Sequence, residues 1–254
     1  MKSLLLAALL LTPAVAVSAE DVRYYDVELI VFENLSERDR SAERWPTDVS
    51  LEPPEEYVEL DRPFAGPLPA EYDRRYTFKP LSTGAQRLNS EARMLEKSKR
   101  YRVLAHLAWR QPGMAREQAL PVHIDIPVPA PVATPSRSGS GETADTGQPI
   151  SADPGDAPRD YRLQGYVRLV LARYLHFEAD LAYRAEPRPD VDSLLETNML
   201  FDATAALDPI YHLQQSRRMR SQQLHYLDNP VLGVAVLVTP FEPDSEGSKT
   251  PARR

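Results

Sequence analysis

The chain has 254 residues, 42% of them hydrophobic, a formal net charge of −7 and no cysteine. Lacking cysteine, it has neither disulfides to hold it together nor a thiol to acylate, so stability must come from burial. Beyond the leader described next, about 235 residues remain, enough for one sizeable core or two small ones at roughly 100–200 residues per domain.

The first residues read "MKSLLLAALLLTPAVAVSA". One lysine, an apolar run from Leu4 to Leu11, a breaker at Pro13 and small residues at Val17 and Ala19 form a secretory leader, with cleavage predicted after Ala19. The apolar run falls well short of the ~20 residues needed to cross a bilayer, so the mature chain is expected to have no membrane span. Export without disulfides points to a bacterial periplasm.

Residues 22–34, "VRYYDVELIVFEN", alternate, with Val27, Leu29 and Val31 on one face and Asp26, Glu28, Ile30 and Phe32 on the other. That is a strand buried at its centre. A proline- and acid-rich stretch follows to Asp73 and reads as irregular. Leu81, Ala85, Leu88, Ala92 and Leu95 then recur at helical spacing, with Arg87, Glu91 and Lys97 facing outward. Ser82 or Thr83 can cap this helix, and Glu96 can pair with Arg100 a turn later. "YRVLAHLAWRQ" (101–111) and "LPVHIDI" (120–126) read as a hairpin turning at Pro112 and Gly113.

Residues 127–158 hold seven prolines, four glycines and no aromatic residue. Such a segment cannot bury enough apolar surface to fold, and it is expected to be a disordered insert within one domain spanning 20–254. "YRLQGYVRLVLARYLHFEADLAYR" alternates twice, too long for one strand, with a turn or bulge placed near Arg173. Residues 185–210 read as a mixed connection. The last hairpin joins "LQQSRRMRSQQLHYL", a turn at Asp228-Asn229-Pro230, and "VLGVAVLVTPF", whose β-branched content suits a central strand. The tail from 242 is polar and frayed. The predicted class is α+β, mainly antiparallel sheet covered by one amphipathic helix.

Enzyme signatures are missing. His106, His123, His176, His212 and His225 show no short ligand spacing. There is no G-x-S-x-G elbow, and Gly141 and Gly147 lack the lysine of a phosphate loop. Carboxylate pairs abound before Asp73, but nothing selects two of them as acid and base. No catalytic residue, metal or cofactor is predicted.

Charge distribution says more. Residues 20–73 contain sixteen acids and five bases, whereas 74–110 contain ten bases and two acids. Leu213–Leu227 adds Arg217, Arg218 and Arg220, four glutamines and no acid. One reading is internal neutralisation by surface ion pairs. The other is a basic groove for an extended anionic polymer, which outside the inner membrane means lipopolysaccharide or peptidoglycan rather than nucleic acid. Arginine suits the carboxylates of peptide stems because its planar fork donates two parallel bonds. On one continuous strand, Gln214, Ser216, Arg218, Arg220 and Gln222 would share a face. Arg217, Arg218, Arg220, Gln214 and Gln222 are therefore the candidate peptidoglycan-binding residues, with Arg93, Lys97 and Arg100 a second basic patch. An edge strand kept soluble by its charges predicts the same composition.

"RYYDVELIVFEN", "LQGYVRLVLARYLHFEADLAYR" and "QQSRRMRSQQLHYLDNPVLGVAVLVTPFE", about a quarter of the chain, together resemble the CsiV family of gammaproteobacterial periplasmic proteins. The resemblance implies a non-catalytic protein that binds peptidoglycan. It also implies support of a bifunctional (class A) penicillin-binding protein through that synthase's outer-membrane lipoprotein activator. It assigns no binding residues, so the arginines above rest on charge and chemistry. The alternative is an envelope docking module that binds a lipoprotein or secretion component by adding a strand to its sheet edge.

Overall fold

The computed structural model describes residues 22–128, 162–185 and 209–243. The leader with its predicted cleavage after Ala19, the insert from 129 on, most of the 185–210 connection and the tail from 244 lie outside the described residues.

The described elements are β1 (Tyr24–Asn34), α1 (Glu37–Arg40), β2 (Lys79–Pro80), α2 (Asn89–Lys97), β3 (Tyr101–Pro112), β4 (Val122–Pro127), β5 (Arg162–Leu171), β6 (Leu175–Arg184), β7 (Ile210–Met219), β8 (Leu224–Asp228) and β9 (Leu232–Phe241). They make two antiparallel sheets, ordered β2-β3-β1-β9-β8 and β4-β5-β6-β7. The class is α+β and mainly β, as expected, with the strands divided between two layers.

Alternation explains the layering. Val27, Leu29 and Val31 of β1, with Val234, Val236 and Val238 of β9, meet Leu163, Val167, Phe177 and Leu181 of the second sheet in one buried cluster. Each such side chain contributes roughly 1.5–3 kcal/mol by leaving water. Polar groups cross this core at one end. Glu33 is fully buried and ion-paired with Arg40 and Arg102, while the Tyr183 hydroxyl donates to its carboxylate at 3.1 Å. Burial pushes the Tyr183 hydroxyl up, against the pull of the two arginines. A buried carboxylate is tolerable only when paired in this way.

The outer face of the five-stranded sheet carries an apolar patch, and that patch is covered. Ile30 and Ala235 pack against Leu88 and Ala92 of α2. This helix begins at Asn89, later than the spacing predicts, and residues 83–85 form a separate single turn. The reason is Glu28, whose carboxylate takes the backbone N–H groups of Arg87 and Leu88 at 2.7 and 2.9 Å. A carboxylate from β1 thus serves the helix start in place of Ser82 or Thr83. Arg100 reaches Asp39 at 3.3 Å instead of Glu96.

One expected hairpin does not form. β3 pairs with β1, and β4 pairs with β5 in the other sheet. Past Pro112 the chain leaves one layer for the other, with the Gly113 N–H bonded to Arg23 O and the Leu171 N–H to Met114 O. Met114 and Ala119 are buried on either side of an exposed turn at 115–118, so the two ends of this connection are anchored in the core.

The remaining two hairpins are where alternation put them. β5 and β6 turn through Ala172–Tyr174, and β8 and β9 through Asn229. The Asn229 side chain accepts from the Val231 and Leu232 N–H groups at 2.9 and 2.7 Å and donates to His212 O at 2.9 Å. β9 is central, between β1 and β8.

Candidate functional site

The segment expected to form one polar strand is divided. β7 stops at Met219, and the chain turns through Gln222, at φ 63°, into the other sheet as β8. Apolar anchors stand on either side of this turn, Met219 in one sheet and Leu227 in the other, and both are buried.

The proposed residues therefore diverge. Gln214 and Arg218 stand on the outer face of the four-stranded sheet, because their cross-strand partners Asp180 and His176 alternate with the buried Ala179 and Phe177. Arg217 takes the opposite face and donates to Tyr226 O at 2.8 Å, while Gln215 donates to Asp228 O at 2.7 Å. These two side chains occupy edge carbonyls of β8, tying one sheet to the other. Arg220 and Gln222 lie in the turn; the Arg220 N–H donates to the His225 ring at 3.1 Å. Arg218 lies over the Tyr174 ring, 3.5 Å from its centroid. Among the described residues none of these three arginines is held by a carboxylate.

The second basic patch sits elsewhere. Arg93 and Lys97 belong to α2, on the outer face of the other sheet, so the two patches do not share a groove. Arg100 is ion-paired with Asp39. Internal neutralisation accounts for several bases of the 74–110 stretch, with Arg75 on Asp73, Arg102 on Glu33 and Arg110 on Asp26. Side-chain hydrogen bonds from Arg75 hold the Asp73 carboxyl below its ordinary value.

What the four-stranded sheet does bring together is a set of ranks across its outer face. His123 pairs with Tyr166, Tyr166 with Asp180, and Asp180 with Gln214, one residue from each strand. The next rank runs Arg168, Glu178, Ser216, and the one after it Val170, His176, Arg218. At about 4.8 Å between strands, the first rank spans roughly 14 Å. A cleft of about 440 Å³ crosses these ranks, lined among others by Tyr166, Arg168, Asp180, Gln214 and Ser216, with Glu52 of the acidic stretch on its rim.

Each group in the cleft is held from the side. Tyr166 is stacked on His123 at 5.1 Å between centroids, and His123 is fixed by Glu59 at 2.8 Å. The exposed ring of Tyr57 stands edge-on to Tyr166 at 5.7 Å. Asp180 accepts from Gln214 at 3.0 Å and contacts the His212 ring at 2.6 Å. Glu178 is clasped by Arg116 at 2.6 Å and by Arg168 at 2.5 and 2.9 Å. Burial acts to raise the Glu178 carboxyl, but the bonds and charges of the two arginines outweigh it and leave the carboxyl below its ordinary value. Burial raises the Tyr166 hydroxyl, helped by Tyr57 and Glu59, so it remains a proton donor at neutral pH.

Sequence reasoning found Gln214 and Arg218 of this face and missed Tyr166, Arg168 and Asp180. Those three are the outward half of the alternation in β5 and β6, visible as polar positions in the sequence; the register that aligns them with β7 is not.

Residues 2–241 match a family described as peptidoglycan-binding protein, CsiV. No curated protein and no solved structure matches the chain.

Proposed function

Because the chain belongs to the CsiV family of peptidoglycan-binding proteins, we propose that the open outer face of its four-stranded sheet is the surface that meets peptidoglycan. The observation that carries this reading is the aligned set Tyr166, Asp180 and Gln214 in a cleft of about 440 Å³. Concave sites with an aromatic wall and a few fixed polar groups are where extended polar ligands are held. Arg218, over Tyr174 and without a carboxylate partner, extends the same face to the end of β7 and suits a stem carboxylate. Arg217 is reassigned to holding β8, and Arg220 and Gln222 to the margin of the site. Arg93, Lys97 and Arg100 belong to a separate surface.

On this reading the protein works in the periplasm after loss of residues 1–19 and carries out no chemistry of its own. It supports a bifunctional penicillin-binding protein through that enzyme's outer-membrane lipoprotein activator. The three sequence blocks that resemble the family support this role, as does the leader-like start of the chain. The core cluster shared by both sheets supports reading 20–254 as one domain.

A second reading rests on its own observation. β7 is an edge strand, and its residues 214–218 are all exposed, as docking by strand addition requires.

Co-sedimentation with purified sacculi tests both. The expected result is retention of the mature protein, weakened by Gln214→Ala and by Arg218→Ala at unchanged melting temperature. Absence of retention would transfer the face to protein docking. Retention untouched by either change would place the binding surface elsewhere.

A further inference from the structure

The cleft has an aromatic wall and its cations are already engaged, and this bears on which part of peptidoglycan it reads. Arg168 gives Nε and Nη2 to one Glu178 oxygen, and Arg116 bonds the other. Asp180 accepts from Gln214 and touches the His212 ring, and its side chain is 39% exposed. Glu52 is exposed at the rim. A carboxylate entering here would face Asp180 and Glu52, with the nearest guanidinium groups already engaged by Glu178, and like charges at such range repel. A neutral, hydroxyl-rich ring meets the opposite situation. Tyr166, braced by His123 on one side and by Tyr57 at its edge, offers a flat apolar surface, and rings of this kind combine apolar area with a polar tip. Asp180 and Glu52 accept from hydroxyl groups; Gln214 and Ser216 both accept and donate.

We infer that the Tyr166–Asp180–Gln214 rank is a subsite for the uncharged sugar rings of the glycan strand, and that the peptide stem does not enter the cleft. This rests on the proposed binding face and specifies its ligand. The stem's carboxylates then find a partner on this face at Arg218, two ranks away along β7, roughly 13 Å from Gln214 at the usual strand rise.

Calorimetric titration with soluble glycan strands freed of their peptides by an amidase, the lactyl carboxylates this exposes then capped as methylamides, and separately with the released stem peptides, decides the matter. The mature protein is expected to bind the peptide-free strands with little dependence on salt, and the stem peptides are expected not to compete. Tyr166→Ala should weaken strand binding tenfold or more, Asp180→Asn severalfold, and Tyr166→Phe should keep most of it. Arg218→Ala should leave strand binding unchanged while weakening retention on intact sacculi. Retention on sacculi together with no binding of bare strands, or displacement by stem peptides, would overturn the sugar assignment and leave the binding face standing. Failure to bind sacculi at all would overturn both. Thermal melts of each variant separate loss of contact from loss of fold.

Discussion

The two outer faces of this sandwich are built from the same alternating strands and have opposite fates. On the five-stranded sheet, outward Ile30 and Ala235 are apolar, and the chain supplies α2 to cover them. On the four-stranded sheet, the outward positions are Tyr166, Arg168, Glu178, Asp180, Gln214, Ser216 and Arg218, and no helix among the described residues covers them. A face that a protein covers with its own helix contributes to stability; a face it leaves polar, ranked and concave is available to something else.

Five changes would break or sharpen that contrast. The largest effect belongs to Gly165→Ala, behind the open face. Gly165 has φ +142°, and a Cβ there would lie 2.0 Å from Asp180 O. The change should cost about 3 kcal/mol or more, read by denaturant unfolding, and should abolish sacculus retention because it displaces the Tyr166–Asp180 pairing. Leu88→Ala, on the covered face, should cost about 2–3 kcal/mol by opening a cavity, yet the folded protein should still bind sacculi with unaltered affinity. Loss of binding at a temperature where this variant is folded would mean that the faces are not independent.

Next comes the strand where the two sheets meet. Arg217→Ala removes the bond to Tyr226 O and should lower stability by about 0.5–1 kcal/mol, whereas Arg218→Ala should stay within about 0.5 kcal/mol of the parent. Equal stability losses would refute the division of labour between neighbouring arginines. The smallest effect is a pH dependence. The Glu178 carboxyl is lowered in the folded protein, so its share of stability is fully present above the ordinary glutamate range, about 4.3. That share is lost as pH falls through the folded value. Glu178→Gln should therefore narrow the gap in unfolding midpoint between neutral solution and solution more acidic than that glutamate range, and an unchanged gap would refute the Arg116–Arg168 clasp.

Strand identity was legible wherever alternation ran uninterrupted. Residues 22–34, the double run after Arg162 and the closing strand 232–241 all fold as their patterns require, because period-two burial admits few other solutions. The failures lie where pairing passes between layers. "YRVLAHLAWRQ" and "LPVHIDI" look like adjacent strands of a hairpin, but nothing in their local pattern records that β1 and β2 flank the first of them. Likewise the Arg- and Gln-rich segment is polar from 214 to 218 and again near 220–223, and only the buried Met219 between them hints that a sheet boundary intervenes. The start of α2 was hidden for a different reason, since its backbone donors go to Glu28, sixty residues from Leu88 in sequence. Of the binding face, composition gave up Gln214 and Arg218; Tyr166 and Asp180 needed the register.

The first and last described strands lie side by side, paired from Tyr24 with Phe241 to Glu33 with Leu232. A polypeptide delivered amino end first therefore cannot finish its main sheet until the segment beyond Leu232 has arrived. Until then β1 keeps one whole row of amide and carbonyl groups without partners, a sticky edge of the kind that recruits stray strands. Assembly thus waits on the final stretch of chain, and a stop codon upstream of β9 forfeits the whole architecture rather than trimming its margin.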